Sequence, residues 1–111
     1  MDRLNKYRQI IRELIERYGQ YIPAQGEVEI ETIFDEAKDH YELIYSGWNG
    51  SYRVHGSVLH IDIRKDKVWI QQDGTEDGIA NELVKAGIPH QDIVLAFKPP
   101  DVRQYTDFAA S

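Results

Sequence analysis

The hydrophobic period changes once, between residues 18 and 28, and this change limits the fold more than any other feature. Leu4, Tyr7, Ile11, Leu14, Ile15 and Tyr18 recur at steps of three and four, one apolar stripe of a helix about 17 residues long. Asp2 is placed to cap its start, and Gly19 to end it in the left-handed conformation. From residue 28 the period is two. Val28, Ile30, Thr32 and Phe34 alternate with Glu27, Glu29 and Glu31, so one face of this strand is expected to be buried and the other acidic. Such a chain must lay a helix on a sheet.

The remaining segments extend that pattern. "DEAKDH" turns the chain and "YELIYSG" returns as a second strand. Asn49-Gly50 and "RKDK" are reversal signals on either side of a long third strand, "SVLHIDI", which pairs with "VWIQQ". Ile79, Leu83 and Val84 mark a short helix, stopped by Gly87 with Ile88 as the apolar contact just past it. Asp92 to Phe97, "DIVLAF", reads as a buried fifth strand. "PPDVRQYTDFA" starts a last helical turn, with Val102 and Tyr105 facing inward. The order α-β-β-β-β-α-β-α over residues 1–111 predicts one α+β domain, an antiparallel meander with its helices on one face.

Composition removes several function classes. There is no cysteine, which excludes disulfides, zinc–thiolate sites and thiol nucleophiles. The first 19 residues carry charges throughout, unlike a secretory apolar region, and no apolar run approaches the roughly 20 residues of a membrane span. A soluble cytoplasmic protein is the expectation. The net charge of −6 is concentrated in residues 27–42, where seven acids face Lys38 alone. Arg3, Lys6, Arg8, Arg12 and Arg17 are interleaved with Asp2, Glu13 and Glu16. The balance has the wrong sign for tight, unaided nucleic-acid binding.

Three constellations invite a chemical reading. In Asp73-Gly74-Thr75-Glu76-Asp77-Gly78, a calcium loop starting at Asp73 would need a bidentate acid at its twelfth position, which is Val84. The expected role is a turn in which Thr75 or Asp77 caps the helix, and Gly87 ends it. Among the histidines, His55 and His60 face opposite sides of one strand unless Gly56 bulges, and His40 and His90 fall in predicted turns. His60 and Asp62 share a face, but two ligands do not make a metal site, so no metal or cofactor is expected. The run Asp62-Ile63-Arg64-Lys65 loosely suggests a Mg²⁺-dependent nuclease using Asp62, Asp73 and Asp77, yet alternation puts Lys65 opposite Asp62. No HExxH, GxSxG or phosphate-loop pattern is present. Seven tyrosines and two tryptophans, Tyr41, Tyr45, Trp48, Tyr52 and Trp69 among them, are too many to bury on one sheet face. Some are expected on the second face, as partner contacts.

The stretches "YRQIIRELIERYG" and "GWNGSYRVHGSVLHIDIRKDKVWIQQDGTEDGIANELVKAGIPHQDIVLAFKPPDVRQYT" closely resemble the XisI family, named for the excision-controlling factor of the fdxN DNA element in nitrogen-fixing cyanobacteria. The likeness runs over essentially the whole chain. It implies a non-catalytic accessory of DNA rearrangement in heterocyst development, acting with a XisH-type partner while a separate recombinase does the chemistry. An antitoxin-like inhibitor of a partner nuclease, or a metal-dependent nuclease, are the alternatives. The candidate partner surface combines Glu27, Glu29 and Glu31 with Tyr41, Tyr45, Trp48 and Trp69. A homo-oligomer, most simply a two-fold dimer, is expected to use the aromatic sheet face or its edge.

Overall fold

The structure, a computed structural model, describes residues 2–21 and 27–111. Helix α1 spans Arg3–Tyr21, and strands β1 (Glu27–Asp35), β2 (His40–Asn49), β3 (Tyr52–Arg64) and β4 (Lys67–Asp73) follow. Helix α2 (Ile79–Lys85), a 3₁₀ turn (His90–Asp92), strand β5 (Ile93–Leu95) and the single-turn helix α3 (Pro100–Arg103) complete the chain. The five strands lie in sequence order. The first four are antiparallel; β5 runs parallel to β4, as the α2 crossover between them permits.

The core forms where the two hydrophobic periods meet. Tyr7, Ile10, Ile11, Leu14 and Ile15 of α1 pack with Tyr41, Leu43, Leu59, Ile61, Ile63, Val68 and Ile70 of the sheet, and with Ile79 and Leu83 of α2. Each such side chain contributes about 1.5–3 kcal/mol by leaving water. The cap of α1 is as expected: Asp2 Oδ1 accepts the Asn5 amide at 2.8 Å. Gly87 lies just past the end of α2. Gly87 has φ 117°, its amide donates to the Val84 carbonyl, and the Ile88 amide donates to the Leu83 carbonyl, while Ile88 itself is buried.

Several expectations are corrected. Gly19 does not end α1 but lies inside it. A β-carbon there would stand 3.3 Å from Leu43 Cδ1, so the glycine allows close packing on β2. Strand β5 is three residues long, because Ala96 and Lys98 turn back onto Val94 and Leu95; Phe97 is consequently exposed. Val102 and Tyr105 also face outward, at 40% and 83% exposure. The orientation of α3 is set instead by Arg103, whose guanidinium donates to the carbonyls of Leu95, Ala96 and Lys98 at 3.0–3.2 Å. Arg103 also lies over the Trp69 ring, so α3 reaches the sheet face opposite α1 and α2.

Two β-bulges shape the sheet. Pairing jumps from Leu43↔Leu59 to Ile44↔Ser57, leaving Val58 as the extra residue, and between His60 and Ile61 the partner strand carries Gln71 as its extra residue. The first bulge, not Gly56, brings His55 to the same face as His60. Gly56 is instead covered by the Tyr45 ring across the pair, on the core side. At Gly47 the backbones of β1 and β2 come so close that a β-carbon would lie 2.0 Å from the Glu27 carbonyl oxygen.

Candidate functional site

The face of the sheet away from α1 and α2, called here the outer face, is polar. Register places Glu27, Glu29, Glu31, Ile33 and Asp35 of β1 beside Trp48, Ser46, Ile44, Glu42 and His40 of β2. The three glutamates expected on an acidic strand face are exposed there, and none is in an ion pair with a described residue. The acids of the following turn are committed elsewhere. Arg8 holds Asp39 at 2.7 and 3.2 Å, and Arg12 pairs with Glu36, so the bases of α1 neutralise part of the acidic segment. The Arg8 guanidinium keeps the Asp39 carboxyl below the usual carboxylate range.

The aromatic residues divide between the faces. Tyr41 and Tyr45 lie on the core side. Tyr41 is wholly buried with its hydroxyl donating to Asp39 at 3.0 Å, so it is unavailable to a partner. Burial, reinforced by that bond, pushes its phenol up to about 12. Trp48 (47% exposed) and Trp69 are on the outer side, and Tyr52 (76% exposed) ends the same hairpin as Trp48. Arg53 sits over the Trp48 ring at 5.6 Å. Trp48 and Trp69 stand at separate places on the outer face, Trp48 between Glu27 and Arg53 and Trp69 between Asp62 and Val94.

The glycine-rich loop before α2 has a different cap from the one expected. Asp73, rather than Thr75 or Asp77, holds the helix start. Its Oδ1 accepts the Thr75 amide and hydroxyl at 2.9 and 2.5 Å, and its Oδ2 accepts the Ile79 amide at 2.9 Å. Gly78, the residue before the helix, has φ 85° and no side chain to cap with. Among the described residues Asp77 contributes only its carbonyl, to Asn81. Asp73 is thereby occupied, and neither it nor Asp77 joins Asp62 in a donor cluster among the described residues.

Asp62 forms the centre of the outer face. It is the one buried charged residue of those described, 2% exposed. Pairing sets His40 of β2 directly opposite it and Trp69 of β4 on its other side. His40 Nδ1 lies 2.7 Å from Asp62 Oδ1, and His60 Nε2 lies 2.8 Å from the same oxygen. Gln71, presented by the second bulge, donates to Oδ2 at 3.3 Å, and Glu42 Oε1 stands 3.6 Å from His60 Nδ1. A buried carboxylate without such partners would cost several kcal/mol. The donor atoms of His40, His60 and Asp62 lie within 4.8 Å of one another, close enough to hold a metal ion. The cluster is not among the sequence expectations because they place His40 in the turn, whereas it is the first residue of β2. The alternation His40-Tyr41-Glu42-Leu43 was the available signal, since it sets His40 and Glu42 opposite the buried Tyr41 and Leu43.

With the geometry established, comparison with known proteins assigns the chain. The model of the XisI protein family matches residues 1–110. This chain belongs to the XisI family. Two crystal structures share its fold. A XisI-like protein from Anabaena variabilis ATCC 29413 is 37% identical, with a TM-score of 0.94 over 98% of this chain and 100% of that one. The fdxN element excision controlling factor XisI from the same organism is also 37% identical, with a TM-score of 0.90 over 99% and 100%. The search of curated proteins returned no match. The α+β architecture expected from the sequence is thus the XisI architecture. No helix of the described residues is long and apolar enough to cross a membrane.

Proposed function

We propose that this XisI-family chain is a non-catalytic controlling factor for excision of a DNA element, as in heterocyst differentiation, and that it acts by contact with a XisH-type partner. The observation that carries this reading is the full-length likeness to a protein described as an excision controlling factor. The outer face supplies a physical means. Glu27, Glu29 and Glu31 project from the edge strand with no paired cation among the described residues, a surface complementary to a basic partner. Trp48, at the same end of the sheet, adds a large exposed ring of the kind that anchors interfaces. Self-association as a two-fold dimer belongs to the same reading. It would leave the three glutamates outside the contact, because facing them against their symmetry mates is unfavourable.

The test is co-purification of the chain with a XisH-type protein, with light scattering to read the stoichiometry. The expected result is a complex weakened at least ~10-fold when all three glutamates are reversed to lysine, as loss of complementary charge predicts. Undiminished binding by the triple variant would remove the acidic strand from the interface. Absence of any complex would remove the partner.

A further inference from the structure

His60 is placed between two carboxylates, one at each ring nitrogen. Nε2 faces Asp62 Oδ1 at 2.8 Å and Nδ1 faces Glu42 Oε1 at 3.6 Å. A neutral imidazole has one N–H and one bare nitrogen, so it can donate to only one of them. The other nitrogen then meets an acceptor. An imidazolium would meet both carboxylates with two N–H donors. An imidazole with a metal ion between His60 Nε2 and Asp62 also removes the conflict, because both atoms become ligands and Nδ1–H is left facing Glu42. His40 Nδ1 supplies a third ligand at the same oxygen of Asp62.

We propose that His40, His60 and Asp62 bind a divalent ion of the zinc class on the outer face, with one coordination position open to solvent. This inference goes beyond the partner reading and does not depend on it. The surroundings have the form that supports a ligand set. Glu42 would hold the far nitrogen of a ligating imidazole, and Gln71 holds the second oxygen of the ligating carboxylate. Zinc bonds to nitrogen and oxygen are about 2.0–2.2 Å long, which sets donors roughly 3.3 Å apart. The present 2.7 and 2.8 Å contacts must therefore open by roughly half an ångström. The His40 side chain is 46% exposed, so much of the ring that must shift borders solvent rather than packed protein. Two imidazoles with one carboxylate suit zinc and its neighbours in the first row, whereas magnesium and calcium take shells of oxygen.

The full chain, stripped with EDTA, is titrated calorimetrically with ZnCl₂, and separately with MgCl₂ and CaCl₂. One Zn²⁺ per chain is expected. His40→Gln and His60→Gln should each weaken it by more than ~100-fold, and Glu42→Gln by roughly 10- to 100-fold, the usual effect of an outer-shell partner. Because His40 is exposed and a glutamine there keeps an N–H donor for Asp62, His40→Gln is the variant that separates ligation from folding, and its melting without metal should stay close to that of the parent. Substitution with Co²⁺ gives a second readout. Its visible absorption should be altered by His40→Gln and retained in Glu42→Gln. Absence of stoichiometric Zn²⁺ binding, or equal binding by His40→Gln and the parent, overturns the site and leaves a hydrogen-bonded cluster only. Tighter binding of Mg²⁺ than Zn²⁺ overturns the ion class.

Discussion

Asp73 shows how much one residue's role depends on where neighbouring backbone falls. Four oxygen-bearing residues in six positions made a helix start legible, but not which of them does the capping. In the structure a single carboxylate serves three donors on both sides of the loop. Asp73→Ala is expected to cost about 1–2 kcal/mol, the upper range for loss of a helix-start acceptor. Asp77→Ala, which deletes no hydrogen-bonding side-chain atom in use, should change stability by under ~0.5 kcal/mol. Urea unfolding of the two variants checks the difference, and equal losses would contradict this assignment. Tyr41 carries a similar lesson. Its aromatic identity suggested either core or interface, and only the strand register showed it to be core.

At the scale of elements, α1 is held to the sheet by apolar packing and to two neighbouring turns by polar contacts, each of which involves a buried phenol. Tyr7 donates to Asp92 and Tyr41 donates to Asp39, which Arg8 of α1 also grips. Burial first, and then the carboxylate partner, pushes both hydroxyls up to about 12. The sign follows directly. The unfolded phenols ionise near 10, so their contribution is fully present below that pH and is lost as the pH rises toward 12. Stability should therefore fall between about pH 10 and 12. Ultraviolet absorbance should show two phenols titrating together with loss of the near-ultraviolet circular dichroism. Tyr7→Phe should flatten part of that fall, and an unchanged alkaline transition in Tyr7→Phe would show that the phenol is not coupled to folding. These elements were largely legible beforehand. Their ends were less so, because Gly19 and Phe97 are governed by packing and turns outside their own segments.

For the molecule as a whole, charge is the property most relevant to nucleic acid. The net charge is −6, and of the five bases near the start Arg3, Arg8 and Arg12 are engaged with Asp92, Asp39 and Glu36. The isolated protein is expected neither to bind duplex DNA tightly at physiological salt nor to cleave it with Mg²⁺, since no basic stripe offsets the acidic outer face. Fluorescence anisotropy and a nicking assay test both halves. Cleavage abolished by Asp62→Asn but not by Asp73→Asn would move the cluster on the outer face into an enzyme's role.

The sequence alone determined the things that depend on local period and local chemistry. A 3.6-residue stripe makes a helix, alternation makes strands, Gly87 with Ile88 makes a stop, and together they specified an α+β meander. A long likeness at fixed order was enough to suggest the XisI family. What only the tertiary structure decided is what meets across strands. His40 and Asp62 are 22 residues apart, and they touch because a tight turn and the register of β2 on β3 bring them opposite each other. Register is a cooperative outcome of burying one whole face, and a shift of one residue would send every side chain to the other side. For that reason the core pattern could be read in one dimension, whereas the histidine–carboxylate cluster needed three.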